Sequence, residues 1–332
     1  MQVKAVVQLH LHSLESRGIR PVTLEKCEWE LKQFVADFGE QEIKEVTFSA
    51  LITWMRGLRK RDGTRYAHAS LAGISKGIRS CFKFAEEEGY IVGNVSRKLP
   101  RYNYKPVHRQ IASEEDIITI LNALPAFIEY RGRDVRDLRD ALIVSFAINT
   151  GTRLRNIKEL ERKAVLTALE HPSLVYTSHG VDNIYHVYTE GKGDKMLELR
   201  FSEATAELFR EYFHRTKASN PTYAFVTNNV LANPIGKATA NSAFQRVCEF
   251  AGTPIWLSHS IRKANVMAIL DTGADIKTAS EYVQHSDPQV TLVHYVYSNQ
   301  RRVDEAALNM MEKRYAEAAV QSQMDNFFKR SP

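Results

Sequence analysis

Residues 257–297 read LSHSIRKANVMAILDTGADIKTASEYVQHSDPQVTLVHYVY, and the order of breaks and polar groups in this stretch decides how the rest of the chain is organised. His259 and Arg262 are three apart, so on a helix over 259–272 both project from one face. Gly273 ends that helix, and Asp275 caps the next, over 275–283, which stops just before His285. Asp287 then has N-cap character and Pro288 takes the favoured first helical position. The resulting helix over 287–297 carries Val290, Val293 and Tyr297 on one side and Tyr295 on another. Each signal is weak alone, since a helix histidine or tyrosine is more often structural than catalytic. Their meaning comes from their order and from what lies upstream.

Upstream, Gly151 breaks a helix over 135–149 and Arg153 follows at once. Three short β-type segments, 174–176, 184–189 and 196–201, come next, and the turn Glu190-Gly191-Lys192-Gly193-Asp194-Lys195 joins the last two as a hairpin with Lys192 at its tip. Further helices are predicted over 202–216 and 238–251. Ser113 followed by Asp116 is a capping-box-like start for a helical region running through Pro125. The first hundred residues read as helical. Thr23 caps a helix carrying Leu24, Cys27, Leu31, Phe34, Val35 and Phe38 and stopped by Gly39, and two more span 48–60 and 66–88. Residues 94–110 are poor in apolar side chains, contain Pro100 and Pro106, and read as a linker. The expected architecture is mainly α with a small β-sheet insertion: a helical domain over 1–95, a basic linker over 96–110, an α+β domain over 111–302 and a helical tail over 303–332.

Composition narrows the class. The 332 residues are 44% hydrophobic and 25% charged, which excludes disordered, collagen-like and low-complexity chains. Three cysteines without C-x-x-C spacing argue against a disulfide scaffold or a cysteine zinc site and fit a reducing cytoplasm. The longest apolar run, 141–148, is too short to span a bilayer, and the N-terminus lacks signal-peptide features. The net charge of +6 is unevenly spread: residues 51–110 hold 13 Lys/Arg against 4 Asp/Glu, whereas 111–332 hold 26 against 27. The candidate phosphate-contacting residues are Arg56, Arg59, Lys60, Arg65, Lys76, Arg79, Lys83, Arg97, Lys98 and Arg101, interleaved with Tyr66, Tyr102 and Tyr104. Charge alone leaves two readings open, a solvated helix face or a surface that releases counterions from a nucleic acid.

The series Thr150-Gly151-Thr152-Arg153 with Glu159-Leu160, the Lys192 hairpin, His259-Ser260-Ile261-Arg262, and His285-Ser286-Asp287-Pro288 with Tyr295 ten residues beyond His285 resembles the tyrosine recombinases, or phage integrase family, in their Xer-like two-domain form. The resemblance covers most of the chain and implies a core-binding domain followed by a catalytic domain. Position by position it implies Tyr295 as nucleophile, Arg153 and Arg262 as phosphate-clamping arginines, Lys192 as hairpin general acid, and His259 and His285 as the two histidines. These roles make chemical sense: a tyrosyl phosphodiester preserves the bond energy for religation, and two guanidinium forks match the charge developing on the non-bridging oxygens. No metal or cofactor is implied, because the cations are side chains. The implied activity is site-specific DNA cleavage and rejoining, for integration, excision or resolution of a mobile element or replicon. Double-stranded DNA with a specific site and a tetramer of the chain on two such sites are the implied partners, in the cytoplasm on the nucleoid and with no membrane. With its core-binding domain starting almost at Met1, the chain is expected to lack the extra arm-binding domain of lambda-type integrases.

Several positions depart from the family pattern. Asn156 stands where many members have an acid, Gln284 where Gly is common, and Asn94-Val95 where Asn-Pro often ends the core-binding domain. A nine-residue spacing from His285 lands on His294 and ten on Tyr295, with Tyr297 as the alternative nucleophile. Two competing functions stand beside recombination: a type IB topoisomerase-like relaxing enzyme, and an inactive site-specific DNA-binding protein. Residues 305–329 read as an amphipathic helix that the resemblance implies docks on a neighbouring protomer.

Overall fold

The computed structural model describes residues 1–102, 110–130, 132, 134–178, 180–191, 195–216, 222–227, 233–284, 308, 310–314 and 316–317. The chain divides into two compact units, Met1–His108 and Arg109–Pro332. Helices α1 (Val3–Ser16), α2 (Pro21–Phe38), α3 (Phe48–Gly57) and α4 (His68–Glu87) make the first unit. Helix α2 begins two residues before the expected Thr23 cap, because Pro21 fills the first helical position, where its missing N–H costs nothing. Thr47 caps α3 by accepting from the Ala50 N–H at 3.1 Å. That helix stops at Gly57 and not at residue 60, since Leu58 turns to extended backbone and buries its side chain. Phe34, Phe38, Trp54 and Phe82 form the aromatic centre, with Phe34 and Phe38 ring centroids 5.3 Å apart. Gly73 and Gly77 of α4 allow α2 close, for a Cβ at either would lie 3.0 Å from the Glu30 side chain.

The supposed linker begins later than the sequence suggests. Val95–Lys98 forms a 3₁₀ turn capped by the Asn94 side chain, Leu99 is buried in the first core, and Arg79 donates to the Leu99 and Pro100 carbonyls. Val95, Leu99 and Tyr102 supply enough apolar contact to hold this basic segment on the unit.

The second unit is arranged around α6 (Val135–Thr150), buried almost all round and preceded by α5 (Glu114–Glu129), whose Ser113 cap accepts from the Asp116 N–H at 3.1 Å. Buried Asp140 pairs with Arg139 and Arg246, while Arg139 donates to the Val226 and Thr227 carbonyls at 3.1 and 2.8 Å. Two short helices, α7 (Leu154–Lys158) and α8 (Arg162–Glu170), follow where the sequence showed no element. Strands β1 (Ser173–Thr177), β2 (Gly180–Glu190) and β3 (Met196–Ser202) form an antiparallel sheet in the order β1-β2-β3. Val175 faces Asp182 and Val187 faces Leu199 across the ladders. Strand β2 starts four residues before the expected 184, because residues 180–183 pair with fully exposed β1 and carry no alternation to read. Tyr185, Val187, Leu199 and Phe201 bury the sheet's inner face with Phe146 and Phe209. Helices α9 (Glu203–Arg215), α10 (Lys237–Ala251), α11 (Ser258–Asp271) and α12 (Ile276–Val283) complete the unit, with Asp275 capping α12 through Thr278 N–H at 2.7 Å. The fold is therefore mainly α with one small sheet. No described helix is long and apolar enough to cross a membrane.

Glu203 fastens α9 to β2. Its carboxylate accepts from Tyr185 Oη at 2.6 Å, Arg210 Nη1 at 2.7 Å and Asn183 Nδ2 at 2.8 Å. These bonds, Tyr185's first, pull its pKa from 4.5 down to about 2. A depressed carboxylate stabilises the fold above its unfolded pKa and ceases to as pH falls toward the folded one. Glu203→Gln should therefore lower the urea midpoint at neutral pH, with the gap to the parent shrinking steadily below pH 4.5. A gap constant across that range would remove Glu203 from the acid response.

Candidate active site

A helix end leaves its last carbonyls without intrahelical donors. At the end of α6, Gly151 turns left-handed with φ 57° and donates its N–H to the Ala147 carbonyl at 2.9 Å. The exposed carbonyls are then taken by side chains from elsewhere. Asn265 Nδ2 of α11 donates to Ile148 O at 2.6 Å, Tyr282 Oη of α12 donates to Asn149 O, and Arg262 Nη1 of α11 donates to Gly151 O at 2.8 Å. Asn149 also accepts the Ser202 N–H at 2.8 Å through its own side chain, which ties in the end of β3.

Arg153 leaves this junction as the N-cap residue of α7, with extended backbone. Thr150 Oγ1 donates to Phe146 O at 2.7 Å, and the Thr152 N–H donates to Thr150 Oγ1 at 3.3 Å. Asn156, the departure from an acid, is buried and donates to Thr152 Oγ1 at 3.0 Å, so it braces the loop without placing a carboxylate beside the arginines.

Arg262 is only 3% exposed. Burial first, and the charge of Arg153 second, push its pKa down to about 9. The guanidinium still carries its proton at neutral pH. Arg153 keeps a solvent-exposed side chain, yet partial desolvation pushes its pKa down as well. Two cations drawn together in this way are poised to receive an anion. His259 lies one turn before Arg262, exposed in the first turn of α11. The structure thus brings Arg153 and Arg262 to one place, with His259 a turn away on the helix that carries Arg262. Lys192, His285, Tyr295 and Tyr297 lie outside the described residues, as do the expected helix over 287–297 and most of the tail.

Gln284 ends α12 with φ 57° and ψ 55°, the one left-handed residue other than glycine among those described. A side chain there costs about 1 kcal/mol relative to glycine. Asn265 and Tyr282 are site-shaping residues that the sequence did not single out, and Gln284 stood out there only as a departure from the common glycine. Only the Gly151 break hinted that donors were needed nearby.

The basic residues of the first unit divide by their surroundings. Arg56, Arg59, Lys60, Arg65, Lys76, Lys83, Lys98 and Arg101 are exposed, and Arg56 lies close enough to Tyr102 to act on its hydroxyl. Arg79 is partly buried and serves the Leu99 and Pro100 carbonyls, Arg97 pairs with Glu86 at 2.7 Å, and Lys83 pairs with Glu87 at 3.4 Å.

A Cβ on Gly151 would meet Asn265 Nδ2 at 3.1 Å and Val283 Cγ1 at 3.2 Å, besides being held at positive φ. Gly151→Ala should destabilise the protein by about 1–2 kcal/mol in urea unfolding. An unchanged midpoint would contradict a tight junction here.

Comparison with known proteins places the chain in a family. The sequence model of the phage integrase family matches residues 113–302. The tyrosine recombinase XerD of Corynebacterium glutamicum is 23% identical over 295 residues, covering 85% of this chain and 90% of that relative. Among solved structures, residues 75–356 of lambda integrase, a dimer bound to a COC' core site, superpose with a TM-score of 0.63 at 15% identity, over 90% of this chain and 97% of that one. A lambda integrase tetramer bound to a Holliday junction gives 0.62 at 15% identity, over 89% and 77%. With the family's domain spanning more than half of its length, this chain belongs to the phage integrase family and is a tyrosine recombinase, a site-specific DNA-recombining enzyme.

Proposed function

We propose that the chain cuts and rejoins duplex DNA through a 3′-phosphotyrosine formed on Tyr295, with Arg153 and Arg262 holding the scissile phosphate. The observation that carries this reading is the buried Arg262, fixed on the Gly151 carbonyl and electrostatically coupled to Arg153. A phosphodiester is an anion of matching size, and its transition state adds charge where two guanidinium forks can accept it.

In the first step Tyr295 Oη attacks phosphorus, the bond to the 5′ oxygen breaks, and the phosphoryl group passes to tyrosine. His259 takes or orients the tyrosine proton, Lys192 protonates the leaving 5′ oxygen, and His285 donates a further hydrogen bond to the phosphate. The second step reverses the first with a 5′ hydroxyl from another strand, so the number of phosphodiesters is conserved and no external energy is needed. Exchange between two sites calls for more than one protomer, and a tetramer on two DNA sites is the assembly we infer, in keeping with the integrase tetramer on a Holliday junction. Integration, excision or resolution of a mobile element or replicon, carried out on the nucleoid in the cytoplasm, are outcomes of this one chemistry.

A suicide duplex nicked beside the cognate site tests the nucleophile. The parent and Tyr297→Phe should give a covalent protein–DNA adduct and Tyr295→Phe none, whereas an adduct surviving Tyr295→Phe would move the nucleophile. Arg153→Lys and Arg262→Lys should each slow adduct formation about 100-fold, because an ammonium offers no planar fork. Strand exchange between two sites, as opposed to relaxation alone, marks recombination.

The exposed lysines and arginines of the first unit supply affinity independent of sequence. Neutralising Lys98 and Arg101 should weaken binding to all DNA and reduce the slope of log affinity against log salt by about one for each phosphate left without its cation. Arg97, already paired with Glu86, should change it less. An unchanged slope for the Lys98 and Arg101 variant would return this surface to an ordinary solvated face.

A further inference from the structure

Gln284 occupies a backbone conformation that suits glycine, and its side chain is committed to another element. Its Nε2 donates to the main-chain carbonyl of Glu198 in β3. Among the described residues strand β3 is an edge of the sheet, so its outward carbonyls have no neighbouring strand there. Two residues earlier, Tyr282 Oη reaches the Asn149 carbonyl at the end of α6. The last turn of α12 is therefore anchored twice, to the loop that launches Arg153 and to the hairpin strand that follows Lys192 in the chain. His285 is the next residue after Gln284.

We infer that Gln284 is a positioning residue: its hydrogen bond to Glu198 couples β3, the strand that follows Lys192 in the chain, to the last turn of α12, which precedes His285, and cleavage depends on that coupling. This rests on the reading of Lys192 and His285 as members of the phosphate site. A glycine at 284 would relieve the left-handed backbone, and water could satisfy the edge carbonyl. What glycine cannot supply is a side-chain tether between the two elements. Gln284 is half-buried, and its Oε1 is buried with no hydrogen-bond partner among the described residues, so the amide meets the β3 edge through its donor alone.

The test compares the full-length parent with Gln284→Gly and Gln284→Glu. Glycine removes both tether and strain; glutamate keeps the shape and the strain but has no N–H to donate. Gln284→Gly should melt at or above the parent temperature and bind DNA equally well, yet form the suicide-substrate adduct about two- to tenfold more slowly, as expected for loss of one hydrogen bond. Gln284→Glu should be slowed at least as much. A merely structural glutamine would instead show a loss that follows its melting temperature or DNA affinity. A glycine variant that cleaves as fast as the parent overturns the inference. Hydrogen exchange on the free protein reads the tether without activity: Gln284→Gly should speed exchange both in β3 and in the last turn of α12. Unchanged exchange there overturns the tether even if cleavage slows. An adduct on a tyrosine other than Tyr295, with exchange raised as expected, would count against the site reading and leave the tether standing.

Discussion

The end of α6 must find donors for carbonyls that its own helix no longer serves, and it does so inside the second unit, where an unpaired carbonyl is costly. Asn265, Tyr282 and Arg262 supply them from two helices more than a hundred residues away in sequence. The same bonds fix the departure point of Arg153. Stability and site geometry thus rest on one set of contacts, and any change in the path of residues 148–153 is transmitted to both arginines.

Arg262 shows what this arrangement costs and what it provides. Taking a guanidinium out of water beside a second cation is unfavourable, and the drop of its pKa to about 9 expresses that penalty. The Arg139, Asp140 and Arg246 group, with Arg139 and Asp140 in the early turns of α6 away from its Gly151 end, shows how the same core treats charge that serves the fold: Asp140 is flanked by two cations. An anion arriving between Arg153 and Arg262 relieves the repulsion that the folded protein maintains. Under the proposed function, the scissile phosphate would meet cations already held in position, and less of its binding energy would go into arranging them.

Local signals were legible wherever one residue type has one physical use. Gly151 at the left-handed end of α6, the Ser113 and Asp275 caps and the β2–β3 hairpin all lie where the sequence placed them. Misreadings arose where packing outweighs pattern. Leu58 leaves its helix to reach the core, Leu99 pulls a basic, proline-bearing segment onto the first unit, and α7 and α8 are too short to show periodicity. In the site, the order of Arg153, His259 and Arg262 is visible through resemblance, and Asn156 and Gln284 stand out in the sequence only as departures without an evident role. Their roles emerge only in three dimensions. Asn156 braces Thr152, and Gln284, Asn265 and Tyr282 bind main-chain carbonyls, which carry no side-chain signature in the sequence that accepts them.

Through its bond to the Asn149 carbonyl, Tyr282 is expected to act on the chemistry by way of the loop that presents Arg153. Single-turnover adduct formation for Tyr282→Phe, measured once in the parent and once in an Arg153→Lys background, tests this directly. A shared route predicts strong non-additivity: Tyr282→Phe slows the parent but has little further effect once Arg153 is altered. Equal fractional losses in the two backgrounds would mean that Tyr282 and Arg153 act independently, and that the capped end of α6 does not organise the site.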